Sequence, residues 1–456
     1  MNARLAQLAS VVEGRLQGGD ATFTGVSTDT RGLAPGDLYV ALRGERFDGH
    51  EFVARAASLG AAGALVERPQ DVALPQIVVG DTLAALQRYA AAWRLRFRGP
   101  VIGVTGSNGK TTVKEMIAAI LRGVGPVLVT RGNLNNHIGV PLTLLRIDDE
   151  HAHAVIEMGA SGPGEIALLT RLARPNVGVI TNAGPAHLEG FGSLDGVARA
   201  KGELFADLAA DGVAVINADD PRSPVWYELA GDRRRVTFGL EAGADVRARA
   251  IESDGGVTRF MLITPAGEAA VELPLAGRHN VLNALAAAAV ATALELDPAR
   301  IAAGLTGVAG VAGRLQSRPA SVPGVSLIDD SYNANPASLA AAVSWLVAQS
   351  GDAWVALGDM AELGDGAEAA HAEAGRAARA AGVTRLFAVG PLSRHAVEGF
   401  GDGATHYDDQ ESLIAALREA LTPGVNLLVK GSRSARMDRV AQAFAAGEDG
   451  GRDAPC

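Results

Sequence analysis

The sequence predicts an α/β protein of three domains: a small N-terminal α/β domain at residues 1–98, a central parallel-sheet domain at 99–311 and a doubly wound, Rossmann-like domain at 312–456. Two series of short apolar runs carry this reading. VIGV at Val101, AVIEM at Ala154, VGVIT at Val177 and GVAVIN at Gly212 form the first, and VSLI at Val325, WVAL at Trp354, LFAV at Leu386 and NLLV at Asn426 form the second. Strands that are apolar throughout and separated by helical patterns belong to parallel sheets covered on both faces. The chain is also too long, at 456 residues, for one ordinary core.

The N-terminal stretch has its own character. Leu5, Leu8 and Val12 share one side of a short amphipathic helix, and no apolar segment of a signal peptide follows. Turn-rich TRGLAPGDLYVALRG and DGHEF then separate short strands, and Arg98-Gly99-Pro100 makes a joint to the next domain. GVAGVAGRL at 307–315 marks the second change of character, and the polar tail GEDGGRDAPC is expected to fray. Residues DRRR from Asp232 read as the charged start of a strand.

Composition excludes several classes. With 41 basic against 51 acidic residues the formal charge is −10, which argues against broad capture of nucleic acid or of an anionic membrane. The single cysteine, Cys456, allows no intrachain disulfide and fits a reducing, cytoplasmic setting. The longest apolar run, LAAAAVATALEL from Leu285, is too short to span a bilayer. A monomer binding small molecules is the expectation.

Directly after VIGV comes TGSNGKTT, and Val113, Met116, Ile117, Ile120 and Leu121 then follow the helical period. Strand, glycine loop and helix in that order aim backbone N–H groups and the positive helix end at one point, where phosphates sit. Gly106, Ser107, Asn108, Gly109, Lys110, Thr111 and Thr112 make up this loop, which gives the central domain a P-loop, ATPase-like character. The strict spacing is missed by one, because position 104 is Val. Lys110 reaches the outer phosphates and the Thr111 hydroxyl suits magnesium. Magnesium takes oxygen ligands, and Glu157 stands near the end of AVIEM on the sheet rim, while His187 follows VGVIT in the loop NAGPAHLEGFGS.

Lys201 is the oddity. Leu194, Val197, Ala198, Leu204, Phe205 and Leu208 recur at helical spacing, and Lys201 falls on their stripe. Periodicity alone favours a stem lying on apolar surface with the charge lifted into water. The phosphate loop, Glu157 and His187 nearby open a second reading, in which burial neutralises the amine. A neutral amine can add carbon dioxide, giving a carbamate whose two oxygens can ligate a metal ion.

Motifs running in order over nearly the whole chain resemble the Mur ligase family of bacterial cell-wall synthesis. They are STDTRGLAPGDLYVAL, GVTGSNGKTTVKE, GNLNNHIGVPLTLLR, EMGASGPGEI, AHLEGFGS, INADD, GRHNVLNALAAAA, DDSYNANPAS, GDMAELG and KGSRSARM. The resemblance implies ATP and two magnesium ions as cofactors, and UDP-N-acetylmuramoyl-tripeptide and D-alanyl-D-alanine as the substrates joined through an acyl phosphate. It implies that residues 1–98 grip the UDP-sugar, 99–311 bind ATP and 312–456 hold the dipeptide. A sister Mur ligase or a folylpolyglutamate-type ligase using another amine is the alternative, opposed by the third-domain motifs DDSYNANP and KGSR.

By the same resemblance Thr111 and Glu157 hold the first magnesium, with His187 and carbamylated Lys201 around the second. Asn283 contacts adenine, while Arg314 and Asp329 reach phosphates and ribose. Ser27, Thr28 and Arg31 match the UDP-sugar motif, and Asn135 and Asn136 lie near that substrate. Asn333, Asn335, Lys430, Ser432 and Arg433 face the acyl phosphate or the dipeptide. Arg436 and Arg439 read as the solvated side of the last helix, and His137 has no assigned role.

Overall fold

The computed structural model describes residues 1–44, 47–185, 188–241, 243–254, 256–308 and 313–446. Ala186 and His187, residues 309–312 of the second junction and the tail from residue 447 to Cys456 lie outside them.

At the centre stands a six-stranded sheet in which every pairing is parallel, in the order Arg234–Phe238, Val213–Asn217, Val177–Ile180, Val101–Thr105, His153–Glu157 and Val127–Val129. The four apolar runs supply its four inner strands, and the DRRR segment leads into one edge strand. Parallel strands need helical crossovers, and the helices between them cover both faces. All C-terminal strand ends therefore share one rim, where ligands bind in open α/β sheets.

The third domain repeats this logic. Its sheet runs Gln316–Pro319, Ser326–Asp330, Val425–Lys430, Asp352–Gly358, Arg385–Val389 and Ala404–Tyr407, with only the first strand antiparallel. Separate apolar clusters cover its two faces, as a doubly wound sheet requires. The N-terminal helix Leu5–Val12 buries Leu5, Leu8 and Val12 as the periodicity predicts. It lies beside a five-stranded sheet, ordered Arg15–Gln17, Gln76–Val78, Gly63–Val66, Asp37–Val40 and Gly25–Ser27.

One structural unit has no counterpart in the apolar runs. Strands Arg247–Asp254, Val257–Thr264 and Gly267–Leu273 form an antiparallel meander. Phe260, Leu262, Val271 and Leu273 face inward, in one cluster with the alanine-rich helix Arg278–Ala293. That helix is apolar almost all round because sheet and meander enclose it. Among the described residues no helix is long and apolar enough to cross a membrane.

The first and central sheets share a core. Helix Thr82–Arg94, capped by the Asp81 carboxylate on Leu83 and Ala84, carries Tyr89 and Trp93 into the cluster that includes Val140 and Leu144. Trp93 Nε1 donates to the Ile147 carbonyl at 2.9 Å, and Arg94 donates to the carbonyls of Ala173 and Arg174 at 2.7 and 3.1 Å. Removing the indole should cost about 3 kcal/mol, because a large void opens and a buried carbonyl loses its donor. Urea unfolding of Trp93→Ala checks this, and a loss below about 1 kcal/mol would contradict the shared core.

Candidate active site

The phosphate loop turns sharply between Thr105, the last residue of its strand, and Lys110, the first of helix Lys110–Arg122. Gly106 and Gly109 carry φ values of 145° and 79°, a region side chains rarely adopt. A Cβ on Gly106 would collide with the Thr181 hydroxyl, and one on Gly109 with the Asn283 amide oxygen. Glycine is demanded twice. The loop is braced from the neighbouring strand end: Asn182 Oδ1 accepts from Asn108 N at 3.0 Å, and Thr181 Oγ1 donates to the Asn108 carbonyl at 2.6 Å. Lys110 Nζ folds back on the carbonyls of Gly106 and Ser107 at 2.7 and 3.2 Å. Burial, and then the nearby Arg314, hold its pKa below the usual lysine value, while Glu157 opposes them.

A cavity of about 830 Å³ opens over this loop. Central-domain residues Ser107 to Thr112, Asn135, Asn136, Glu157 and Asn283 line one side of it. Arg314, Asn333, Asn335, Lys430, Ser432 and Arg433 of the third domain line the other. Among the described residues two side-chain hydrogen bonds join the sides. Asn335 Nδ2 donates to Asn108 Oδ1 at 2.7 Å, and Arg314 Nη2 donates to the Thr111 hydroxyl at 3.4 Å. Asn335 also caps helix Pro336–Val347 in a reciprocal arrangement with Ser338, so one residue both starts a helix and touches the phosphate loop. Lys430, buried in the sheet, pairs with Asp330 and donates to the Asn333 carbonyl at 2.9 Å.

Glu157 is 2% exposed. Asn135 Nδ2 donates to its Oε1 at 2.8 Å, whereas Oε2 has no hydrogen-bond partner among the described residues. Among the described residues the cation paired with that oxygen is Lys114, its Nζ 3.6 Å away. Glu157, with this buried oxygen short of a hydrogen-bond donor, lines the same cavity as Thr111, and a carboxylate with a hydroxyl is a donor set of the hard-oxygen kind that magnesium takes. Among the described residues no three His, Cys, Asp or Glu side chains gather as a metal cluster.

Lys201 does not reach for solvent. It is 2% exposed, its Nζ donates to the Ala160 carbonyl at 3.2 Å and lies 5.1 Å from the Phe191 ring centre. Ala160 and Ser161 belong to the cavity wall, so the amine sits just behind it. Burial is the largest cause lowering its pKa to about 7, Lys110 adds to that, and Glu165 and Glu203 oppose it. Near neutral pH a large share of the amine is therefore uncharged.

Other expected residues lie elsewhere. Asp329 does not line the cavity: its carboxylate accepts from Ser331 N and Oγ at 3.1 and 2.6 Å and stands 3.8 Å from Arg318. Its neighbour Asp330 lines the cavity instead, because adjacent strand residues point to opposite faces. Ser27, Thr28 and Arg31 sit at the end of strand Gly25–Ser27, apart from the cavity lining. There Ser27 Oγ donates to the Asp29 carbonyl at 2.9 Å and Arg31 pairs with the Asp29 carboxylate. Lys114 was not anticipated, although its place one turn after Lys110 on a helix that buries it is the same signal that singled out Lys201. Tyr332, between two cavity arginines, gave no periodic signal because it lies in a turn.

A phosphate loop on the rim of a parallel sheet, faced across one cavity by a second doubly wound domain, defines a nucleotide-binding α/β enzyme. Family models tile the chain accordingly: "Mur ligase family, catalytic domain" over residues 22–118, "Mur ligase middle domain" over 104–291 and "Mur ligase, glutamate ligase domain" over 313–433. The chain is 46% identical to the UDP-N-acetylmuramoyl-tripeptide–D-alanyl-D-alanine ligase of Escherichia coli, covering 97% of this chain and 98% of that protein. MurF from Acinetobacter baumannii has the same fold with a TM-score of 0.91 at 38% identity, over 97% and 98% of the two chains. MurF from Thermotoga maritima in complex with ADP gives 0.82 at 29% identity, over 92% and 96%. This chain belongs to the Mur ligase family of ATP-dependent ligases.

Replacing Asn335 separates its two roles. Asn335→Ala removes the cap and should cost about 1 kcal/mol. Asn335→Asp keeps the cap but sets a carboxylate against Asn108 Oδ1, so stability should hold while the KM for ATP rises. Urea unfolding and ATP-dependent kinetics of both variants check this; an Ala variant as stable as the parent would contradict the cap.

Proposed function

We propose that this chain joins D-alanyl-D-alanine to UDP-N-acetylmuramoyl-tripeptide, with release of ADP and phosphate, giving the UDP-N-acetylmuramoyl-pentapeptide precursor of peptidoglycan. The observation that carries the reading is the single cavity into which the phosphate loop and the third domain both project cations, Lys110 and Arg314 beside Lys430 and Arg433. By way of peptidoglycan supply, the activity would bear on cell shape and division.

In this reading, the loop N–H groups and the start of helix Lys110–Arg122 hold the ATP phosphates. Lys110 exchanges its two carbonyl acceptors for outer phosphate oxygens, and Asn283, packed against Gly109, is placed for the nucleoside. The tripeptide carboxylate attacks the terminal phosphorus, the bond to ADP breaks, and an acyl phosphate forms. The uncharged amine of the dipeptide then attacks the acyl carbon and loses a proton, and phosphate leaves as the amide forms. Negative charge builds on oxygen in both steps, and the fixed cations lower that cost most in a cavity from which water is excluded.

Thr111 and Glu157 Oε2 fit a first magnesium ion, which when bound would spread charge over the phosphates. Lys201 as an ammonium offers no ligand oxygen, but as a carbamate it would offer two to a second ion, with His187, which lies outside the described residues. In forming that carbamate the amine lone pair makes the N–C bond, one C=O pair of carbon dioxide moves to oxygen, and a proton is released. Ser27, Thr28 and Arg31 are assigned to the UDP-sugar on residues 1–98, with Asn135 and Asn136 nearer the peptide end.

Phosphate release should require both the UDP-tripeptide and D-alanyl-D-alanine, and equal release with either omitted would contradict the reading. For Lys201 the sign follows from its lowered pKa: the neutral, reactive form gains as pH rises through about 7. At constant dissolved carbon dioxide, the carbon-13 signal of a lysine carbamate should grow between about pH 6 and pH 8. Lys201→Ala should abolish that signal and lower turnover on the order of 100-fold. A signal unchanged in the variant would sink the assignment.

A further inference from the structure

Tyr332 stands in the cavity wall with two guanidinium groups against its ring. Arg314 Cζ lies 4.2 Å from the centre of its ring and Arg433 Cζ 5.5 Å. Arg433 Nη1 also donates to the phenol oxygen at 3.2 Å. The backbone fixes the ring in turn, since Tyr332 N donates to the Gly313 carbonyl at 3.2 Å. Gly313, at φ 70°, has the Tyr332 Cβ 3.2 Å from where its own Cβ would stand.

Two like charges converging on one cavity repel each other unless something between them favours both. An aromatic face does so, because its quadrupole attracts cations, and guanidinium groups stack on rings in a way ammonium groups do not. The two arginines also point to different work. Arg314 touches Thr111 at the phosphate loop, whereas Arg433 follows the KGS turn beside Ser432 and Ser434. The ring is therefore shared by a nucleotide-side cation and a dipeptide-side cation.

We infer that Tyr332 is a positioning residue that holds Arg314 and Arg433 together at the reaction site, setting nucleotide binding through its ring and dipeptide binding through its hydroxyl. This rests on the ligase reading above. Among the described residues the hydroxyl contacts Arg433 alone, so ring and hydroxyl are separable by substitution. Tyr332→Phe keeps the ring and loses the phenol oxygen. Tyr332→Leu loses both while filling a similar space.

The test is steady-state phosphate release with the full-length enzyme, varying ATP and D-alanyl-D-alanine in turn at saturating UDP-tripeptide. Tyr332→Phe should raise the dipeptide KM about tenfold and leave the ATP KM within about twofold of the parent. Tyr332→Leu should raise both, the ATP KM by about tenfold. Urea unfolding of Tyr332→Phe should match the parent, which separates positioning from a merely structural role. Unchanged kinetics in Tyr332→Phe, or equal shifts in both KM values, would overturn the inference. A parent enzyme that needs no dipeptide would instead overturn the ligase reading, so the two failures are distinguishable.

Discussion

Among the described residues two hydrogen bonds fasten the third domain onto the phosphate loop, Asn335 to Asn108 and Arg314 to Thr111, and the shared cavity rests on that contact. A loop at a helix N-terminus binds phosphate in many folds. What makes this one suited to amide formation is that a second doubly wound sheet presents its own rim to the same space. Both sheets are parallel where they matter, so both place loops, glycines and polar side chains at the C-terminal strand ends. Opposed rims make one reaction chamber.

Burial sets the electrostatics. Lys110 and Lys201 are both held below the ordinary lysine value mainly by burial, Lys110 further by Arg314 and Lys201 further by Lys110. Glu157 opposes the shift at Lys110, and Glu165 and Glu203 oppose it at Lys201; Asn135 donates to one Glu157 oxygen, and Lys114 stands 3.6 Å from the other. A buried carboxylate oxygen without a hydrogen-bond donor is costly, and a cation placed against it would lower that cost. The stripe that looked anomalous around Lys201 is the device that keeps its amine dry.

Much of this was legible in the residues. The inner strands of the central sheet are apolar runs, and buried parallel strands leave no alternation to blur them. The phosphate loop announced itself through TGSNGKTT between strand and helix. The meander at 247–273 was not legible in the same way, because its strands are half covered: Arg249, Arg259, Glu268 and Glu272 pair across its outer face. Asp329 and Asp330 are adjacent carboxylates, and only the register of strand Ser326–Asp330 decides which one faces the cavity. Lys114 follows the same rule as Lys201, yet a lysine next to a phosphate-binding lysine is easily absorbed into the motif. Tyr332 depends on two arginines distant in sequence, a relation that no local pattern encodes.

The central claim is that the tripeptide carboxylate is activated by phosphorylation in the cavity between phosphate loop and third domain, and is then attacked by the dipeptide amine. Oxygen transfer tests it most directly. With oxygen-18 in the terminal carboxylate of the UDP-tripeptide, one labelled oxygen should appear in each phosphate released during turnover, as mass spectrometry of the phosphate would read. Phosphate free of label, formed at the same rate as the amide product, would contradict the account.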